Sequence, residues 1–158
     1  MAIRKGKRFD AEMDETFPQG LVLVGGVRAA TEFQSQEDRT RGREPRQLFD
    51  EQTAKHMWLG TVTDPDESRA KRASFEIKLV ADVQPVPPTD EVMPGMRPIA
   101  LEGLQVEPRI AGQGEFKYLT YQVWATGFAD PTQGSGRTSK TPASASTASK
   151  ETSAKEAA

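Results

Sequence analysis

Residues 84–128 read QPVPPTDEVMPGMRPIALEGLQVEPRIAGQGEFKYLTYQVWATGF, and this stretch decides the fold. A proline-rich hinge is followed by two segments of alternating apolar residues, 94–110 and 115–128, on either side of a glycine-bearing turn. Alternation with period two is typical of a half-buried β-strand, and proline stops strands or confines them to edges. The stretch therefore predicts a small β-barrel that closes on itself, with no catalytic constellation in it.

The composition bounds the class of protein. A chain of 158 residues is long enough for one domain with appendages. Cysteine is absent, which excludes a disulfide framework, and the single histidine, His56, excludes a multi-histidine metal site. No apolar run approaches the roughly 20 residues of a membrane helix, and the start of the chain lacks the apolar core of a secretion signal. We expect a cytoplasmic protein that uses no cofactor.

The distribution of residue types divides the chain into three parts. Residues 1–16 are rich in charges and are expected to form a flexible arm. Residues 17–128 hold the β-prone segments and are predicted to form the barrel domain. Residues 129–158 are almost wholly Ala, Ser, Thr, Gly, Lys and Glu, and they cannot bury enough apolar surface to offset their chain entropy. We expect a disordered tail there.

Strand patterns recur through the barrel domain. Residues 73–79 alternate apolar and polar side chains, which predicts a half-buried strand. The Gly25-Gly26 pair interrupts an apolar segment and predicts a bulge or bend, and the apolar phase slips at Gly103, which predicts a second bulge. Trp58 is expected in the core. The fold class is therefore mainly β, with about five strands in a small OB-like barrel.

The last strand is predicted over residues 116–125. Its odd positions are expected to face the core: Leu119, Tyr121, Val123 and Ala125. Its even positions then form an outward row that includes Phe116, Tyr118 and Trp124. Rings on an exposed barrel face provide a stacking surface for bases, worth about 1–3 kcal/mol per base. The alternative is the reverse phase, or a Trp124 that lies under the proline segment.

Candidate nucleic-acid-binding residues combine these rings with cations that would attract phosphates. They are Arg28, Arg39, Arg41, Arg43, Arg46, Lys78, Lys117, Tyr118 and Trp124. The formal net charge of −2 argues against a general polyanion binder. Charge alone favours the simpler interpretation that the arginine cluster at 39–46 is a solvated loop.

Motifs of enzymes are not found. The glycines at 25–26 and 112–114 lack the Lys-Ser/Thr pair of a phosphate loop and the third glycine of a dinucleotide loop. The acids Asp64, Asp66 and Glu67 are typical of a turn. No serine has His56 at a spacing that suggests a catalytic pair. We expect no catalysis.

Five segments carry a resemblance to a known family. They are FPQGLVLVGGV (17–27), TAKHMWLGTVTDPDE (53–67), IKLVADVQPVPP (77–88), RPIALEGLQVEP (97–108) and YQVWATGF (121–128). In this order they resemble the plasmid replication, integration and excision activators, which are encoded on integrative conjugative elements of high-GC Gram-positive bacteria. The family commonly has a basic residue at the position of Trp124, which fits an outward position.

The resemblance implies a non-enzymatic regulator that switches on the operon for the replication initiator, excisionase and integrase of its element. No helix-turn-helix is visible, so we favour an OB-like barrel that holds single-stranded DNA or promoter or origin DNA. The alternative is a protein-interaction module that recruits or stabilises the replication initiator or a transcription regulator without touching DNA. The sequence leaves homo-oligomerisation open and predicts no membrane association.

Overall fold

A computed structural model describes residues 1–131 of the chain, which form short helices and a larger number of strands. The strands are β1 (Phe9–Asp10), β2 (Leu21–Ala29), β3 (Met57–Thr63), β4 (Ser74–Val80), β5 (Met96–Ile99), β6 (Leu101–Glu102), β7 (Gln105–Ala111), β8 (Tyr118–Ala125) and β9 (Gly127–Phe128). The helices are α1 (Met13–Thr16), α2 (Gln36–Thr40) and α3 (Ala70–Ala73). The predicted tail lies almost wholly in residues 132–158, outside the described part.

Seven strands form one mixed, open sheet in the order β1-β7-β8-β4-β3-β2-β5. Strands β4 and β8 run parallel, and the other neighbours are antiparallel. Strands β6 and β9 form a separate pair. The predicted mainly β class is confirmed. The sheet has more strands than the five that the sequence predicted, because β1 and β5 extend its two edges.

The bulge predicted at Gly25-Gly26 is confirmed in β2. Val24 is opposite Thr61 and Arg28 is opposite Leu59, so β2 has two residues more than β3 between these pairs. Gly25 has a φ of +75°, a left-handed conformation that L side chains rarely adopt. The bulge bends β2, and only the part before it also pairs with β5.

The main core lies on one face of the sheet and follows the predicted alternation of β4. Ile77 and Leu79 are fully buried there. Gly60 makes room for Ile77 and for Leu23 of β2, because a Cβ on it would lie 3.2 Å from Leu23 Cδ1 and 3.5 Å from Ile77 Cγ1. Trp58 packs half-buried against this core and donates its indole N–H to the carbonyl of Ala81 at 3.0 Å. The prediction that Trp58 is a core residue is confirmed.

The phase slip at Gly103 is also confirmed. Leu101 and Leu104 are both buried, although they are three positions apart. Gly103 has a φ of +62°, and a Cβ on it would lie 2.5 Å from Thr126 Oγ1. The slip lets residues 96–111 pair with β2 through β5 and then with β8 through β7.

Strand β8 differs from the prediction in its first half. Val123 and Ala125 are buried as expected. Leu119 and Tyr121 lie on the same side of the strand as Val123 but are more than half exposed, so the sequence predicted their side and not their exposure. The reason is the short pairing with β4, which involves only Val123–Ala125 of β8. Before Val123 the two strands separate, although β4 continues back to Ser74, so this part of β8 has no paired strand on that side.

The N-terminal segment packs on the sheet, in contrast to the flexible arm that was expected. Strand β1 pairs with β7, and the Arg8 side chain is buried. Ala11 donates its N–H to the carbonyl of Leu104 at 3.1 Å, and Met13 packs against the main core. Within residues 1–131, no helix has the length and apolar character that crossing a membrane requires.

Candidate binding surface

The sheet separates the predicted site residues into three places. The loop with the arginine cluster, residues 30–56, joins β2 to β3 at one end of the sheet. Lys117 and Tyr118 lie at the turn between β7 and β8, at the opposite end. A strand rises about 3.3 Å per residue, so the seven residues of β3 put these ends roughly 20 Å apart. Arg28, Lys78 and Trp124 lie between them.

These three residues share one row across the sheet. Arg28 is opposite Leu59, Leu59 is opposite Lys78, and Lys78 is beside Trp124. The row faces away from the main core, because Trp124 packs in a separate cluster with Ala30, Met57 and Val80. The sequence predicted this side correctly for Trp124, but not its exposure.

Trp124 is only 5% exposed, so the prediction of an exposed ring was wrong. The guanidinium carbon of Arg8 lies 3.4 Å from the centroid of the indole ring, and Lys78 Nζ lies 4.9 Å from it. The indole N–H donates to Glu107 Oε2 at 3.0 Å. The N-terminal segment therefore covers a ring that the strand pattern places on the outer face.

Arg8 is held in this position by Asp50, which lies in the loop between β2 and β3. The two terminal guanidinium nitrogens of Arg8 donate to the two carboxylate oxygens of Asp50, and Nη1 lies 3.1 Å from Oδ2. Burial by itself raises the pKa of Asp50, but hydrogen bonds from Arg8 and Thr53 outweigh it and hold this pKa below its usual value. Arg8 Nε is buried and has no hydrogen-bond partner.

Lys78 is a half-buried cation beside the same ring. Burial lowers its pKa, and the nearby charge of Arg109 lowers it further, although Glu107 and Glu76 act in the opposite direction. Within residues 1–131, no carboxylate lies within ion-pair distance of Lys78 Nζ. Lys78 is therefore a cation that an incoming anion would stabilise.

Other cations of the outer face are neutralised by neighbouring acids. Arg28 Nη2 lies 2.7 Å from Glu76 Oε2, and Arg109 Nε lies 3.2 Å from Glu107 Oε1. Glu76 is opposite Thr61 on β3, next to the row of Lys78. The middle of the sheet is thus not uniformly basic, and the predicted role of Arg28 has to compete with its ion pair.

The arginine cluster lies on the exposed loop as the sequence suggested. All four side chains are exposed: Arg39, Arg41, Arg43 and Arg46. Arg43 forms an ion pair with Asp38 at 3.5 Å, while the other three have none within the described residues. Helix α2 is capped by Ser35, whose hydroxyl oxygen accepts the N–H of Asp38 at 3.2 Å. The loop offers positive charge at the end of the sheet away from Tyr118.

A cleft opens where β4 and β8 separate, with a volume of about 530 Å³. Tyr118 and Tyr121 line it from β8, and each is 55% exposed. The floor includes Phe17 and Phe75, whose rings stack with centroids 5.9 Å apart. The cleft combines an apolar floor with two tyrosines that are open to solvent. It exists because the pairing of β4 and β8 ends after three residues.

Two acids and two cations line the cleft, so the formal charge of its lining is zero. Lys71 and Arg72 line it, and neither forms an ion pair within residues 1–131. The acids of the lining are engaged by their own turn, because Asp64 Oδ1 accepts the N–H of Asp66 and Glu67 Oε1 accepts an N–H two residues on, both at 2.9 Å. The cations are thus free to contact a ligand, whereas the carboxylates are partly satisfied.

Sequence reasoning brought only Tyr118 to this cleft and missed Tyr121, Lys71 and Arg72. Tyr121 has the parity of core residues, and the end of the β4–β8 pairing, which exposes it, leaves no mark in a local pattern. The run RAKRA at residues 69–73 was a usable signal, since it places basic residues directly before a predicted strand. Lys117, a predicted phosphate-binding residue, is exposed at the turn beside Tyr118.

The hairpin of β7 and β8 also presents aliphatic side chains. Ile110 and Leu119 are directly opposite each other and are 76% and 56% exposed. Phe116, in the turn, is 86% exposed. A cluster of exposed apolar side chains marks interaction sites more often than ordinary surface.

Comparisons with known proteins gave no match for the chain among family models, curated proteins or solved structures. Within the described part of the chain, no group of three or more His, Cys, Asp or Glu side chains is arranged to hold a metal ion. The surface is therefore interpreted from its own geometry.

Proposed function

We propose that this chain is a non-enzymatic factor that binds single-stranded DNA and thereby promotes the replication, integration and excision of a mobile plasmid element. The observation that carries the binding proposal is the cleft, which is lined by the exposed rings of Tyr118 and Tyr121 and by the cations Lys71 and Arg72. The role in a mobile element rests on the resemblance of the five sequence segments. The proposal includes residence in the cytoplasm, where such DNA is found.

The chemistry of the cleft suits an unpaired strand. Exposed rings stack on bases of any sequence, at about 1–3 kcal/mol per base, while lysine and arginine neutralise phosphates. Bases inside a duplex are already stacked and do not offer their faces to Tyr118 or Tyr121. The helices of residues 1–131 have at most five residues, which is short for a major-groove recognition element. Single strands are therefore the favoured ligand.

The connectivity of the main strands supports an OB-like barrel as the finer description of the fold. Strands β2, β3 and β4 form a meander, β8 is parallel to β4, and residues 96–111 pair with both β2 and β8. OB-folds bind oligonucleotides on the face of their second and third strands and on the first-to-second and fourth-to-fifth loops. The corresponding parts here are β3 and β4, the loop 30–56 and the turn 112–117.

This correspondence gives a path for the strand that includes the separated candidate residues. The path begins at Lys117 and Tyr118 at one end of the sheet, passes Lys78 on the outer face of β4 and ends at the arginine cluster in the loop 30–56. Both ends carry cations that have no ion pair within the described residues. Phosphates at the two ends and bases at the tyrosines would be held together along this path.

The binding test uses a fluorescently labelled oligothymidylate and a duplex of mixed sequence, each titrated at low and high salt. We expect the single strand to bind more tightly and its affinity to fall steeply as salt rises, because counterions are released. The variant Tyr118→Ala/Tyr121→Ala should lose about tenfold or more in affinity per ring that stacks on a base. Equal affinity of the wild type and this variant would contradict the cleft as the site.

A second pair of variants tests the cations. Lys71→Gln/Arg72→Gln should weaken binding and reduce the salt dependence. The matched control is Arg4→Gln/Lys5→Gln, which removes the same charge from exposed residues away from the cleft. Equal losses in the two double variants would indicate a general charge effect rather than a site.

The second candidate function is a protein-interaction module that recruits the replication initiator or a transcription regulator. The opposed, exposed aliphatic pair Ile110 and Leu119 favours it, because aliphatic side chains do not stack on bases as rings do. Ile110→Ser/Leu119→Ser should then abolish capture of the purified initiator while leaving oligonucleotide affinity unchanged. A salt-insensitive interaction with the initiator and no oligonucleotide binding would favour this function over the first.

A further inference from the structure

Trp124 and Arg8 form a stacked pair on the outer face of the sheet. The guanidinium carbon of Arg8 lies 3.4 Å from the ring centroid, well within cation–π range and close to the spacing of stacked aromatic rings. The neighbours of Trp124 in β8, Val123 and Ala125, belong to the main core, whereas Trp124 belongs to the separate outer cluster. The ring is thus on the ligand face of the proposed barrel, and a planar cation from the N-terminal segment occupies its surface.

The cover is attached by few contacts. Strand β1 has two residues, and a strand of that length adds little stability of its own. Gln105 Nε2 donates to Asp10 Oδ1 at 2.7 Å, and Gln52 Nε2 donates to the carbonyl of Gly6 at 3.1 Å. The ion pair with Asp50 is the remaining anchor. Detaching the residues before Ala11 would break the buried Arg8–Asp50 ion pair and the short pairing of β1 with β7, but it would leave the pairings of β2, β3 and β4 intact.

While Arg8 covers Trp124, some polar groups around the ring lack a partner. Arg8 Nε is buried without a hydrogen-bond partner. Lys78 Nζ lies 4.9 Å from the same ring and has no ion pair within residues 1–131, and burial, followed by the charge of Arg109, lowers the pKa of Lys78. Two cations, Arg8 and Lys78, thus lie against one ring. A ligand that supplies a flat ring and an anion would satisfy this arrangement better than a second cation does.

We propose that Trp124 is a second base-stacking position of the single-strand site, and that the Arg8 guanidinium occupies it until a nucleic acid strand displaces it. The inference rests on the proposed function and names a further part of the same site. The ligand class is a nucleobase whose adjacent phosphates lie against Lys78 and Arg109. Arg8 imitates the base because its guanidinium is planar and stacks on aromatic faces.

The test uses the whole chain with Trp58→Phe, so that Trp124 is the remaining one of the two tryptophans. In this background Arg8→Ala/Asp50→Asn removes the cover without leaving an unpaired buried charge. Acrylamide should quench Trp124 more strongly in this variant, and a labelled oligothymidylate should bind about tenfold more tightly, the equivalent of one additional stacked base. Adding Trp124→Ala to the uncovered variant should remove the gain.

A milder variant keeps the test informative if the double substitution damages the fold. Arg8→Lys keeps the charge opposite Asp50 but loses the planar group, so quenching and affinity should both rise, by less than in the double variant. Arg4→Gln is the matched control, because it changes a neighbouring exposed cation that touches neither residue of the stacked pair.

The outcomes separate the inference from the function on which it rests. If quenching rises while oligothymidylate affinity stays the same, and the tyrosine variant of the cleft still loses affinity, the inference is wrong and the proposed function stands. If quenching does not rise, Arg8 is not the cover and the inference is also wrong. If the wild type and every variant fail to bind the oligothymidylate, the proposed function fails and the inference fails with it.

Discussion

The two halves of strand β8 present aromatic rings in opposite states. Trp124, near the end of the strand, is buried under Arg8, while Tyr118 and Tyr121, in the first half, are open to solvent. The difference arises because only the second half of β8 is covered. Strand β4 pairs only with Val123–Ala125, and the N-terminal segment covers that same part. Alternation along a strand thus decides the side of a ring, but neighbouring segments decide whether a ligand can reach it.

The two regions also differ in whether their cations have carboxylate partners. Near Trp124, Arg8 and Arg109 have carboxylate partners at Asp50 and Glu107. At the cleft, Lys71 and Arg72 have no ion pair within the described residues, and the nearby acids accept hydrogen bonds from their own turn. The cations of the cleft can therefore contact a phosphate without giving up a partner, whereas the covered region has to exchange a partner first.

The largest effect is expected from breaking the covered region. Asp50→Ala leaves the buried Arg8 charge without its partner and should lower the free energy of unfolding by about 3–5 kcal/mol, measured by urea denaturation. Glu91→Ala is the matched control, because the Arg97–Glu91 pair lies at the surface and should contribute about 0–1 kcal/mol. Similar losses in both variants would show that burial adds nothing to the Arg8 contact.

The second prediction concerns the turn between β7 and β8, which lies next to the exposed Tyr118. Gly112→Ala places a Cβ 1.9 Å from the carbonyl oxygen of Phe116 at a φ of +92°, whereas Gly114→Ala meets no atom within 4 Å at a φ of +61°. We expect a loss of about 1–2 kcal/mol for Gly114→Ala from its left-handed backbone alone. Gly112→Ala should lose about 1–3 kcal/mol more because of the overlap.

The same pair of variants separates the two regions. Gly112→Ala should weaken oligonucleotide binding at Tyr118 and leave acrylamide quenching of Trp124 unchanged, since the turn is remote from Arg8. A change in Trp124 quenching in this variant would show that the two halves of β8 are coupled.

The third prediction concerns pH and again the covered region. The folded-state pKa of Asp50 is lowered, because the hydrogen bonds from Arg8 and Thr53 outweigh the effect of burial. The contribution of Asp50 is therefore fully present above the ordinary aspartate pKa of about 3.9, and it is lost as pH falls through the lower folded value. Stability and the protection of Trp124 from quenching should both decline over that range. Asp50→Asn should lack this part of the acid dependence.

The smallest effect is expected from Arg28, whose ion pair with Glu76 lies on the exposed outer face. Arg28→Ala should change the free energy of unfolding by about 0–1 kcal/mol. Because Glu76 partly neutralises Arg28, Glu76→Gln should strengthen oligonucleotide binding slightly if the strand passes over this face. Unchanged affinity in both variants would restrict the ligand to the cleft and its cations.

Local patterns were sufficient to predict most of the sheet. The alternation in β4, the bulge at Gly25-Gly26 and the slip at Gly103 depend on neighbouring residues, and each lies where it was predicted. The core position of Trp58 followed from the same kind of pattern. These features could be predicted because backbone geometry and burial repeat with the period of the strand.

The candidate site was less predictable because it depends on contacts between distant segments. The length of the β4–β8 pairing exposes Tyr121, and no residue near Tyr121 encodes where that pairing ends. The burial of Trp124 depends on Arg8, at the other end of the described chain, and on Asp50 in a loop. Counting charges could not show this, because Arg8 lies in the same basic N-terminal segment as Arg4 and Lys5, which are exposed.

Residues 96–111 hold two margins of the sheet with one continuous piece of backbone, since β5 pairs with β2 and β7 pairs with β8. A cut near Gly103 would therefore leave β5 in one fragment and β7 in the other, and the pairings of β4 with β8 and of β1 with β7 would still join the two fragments. A cut within residues 39–46 would likewise interrupt none of the sheet pairings. Within the described residues, the exposed arginine loop is thus a place where this chain would tolerate a nick or an inserted sequence.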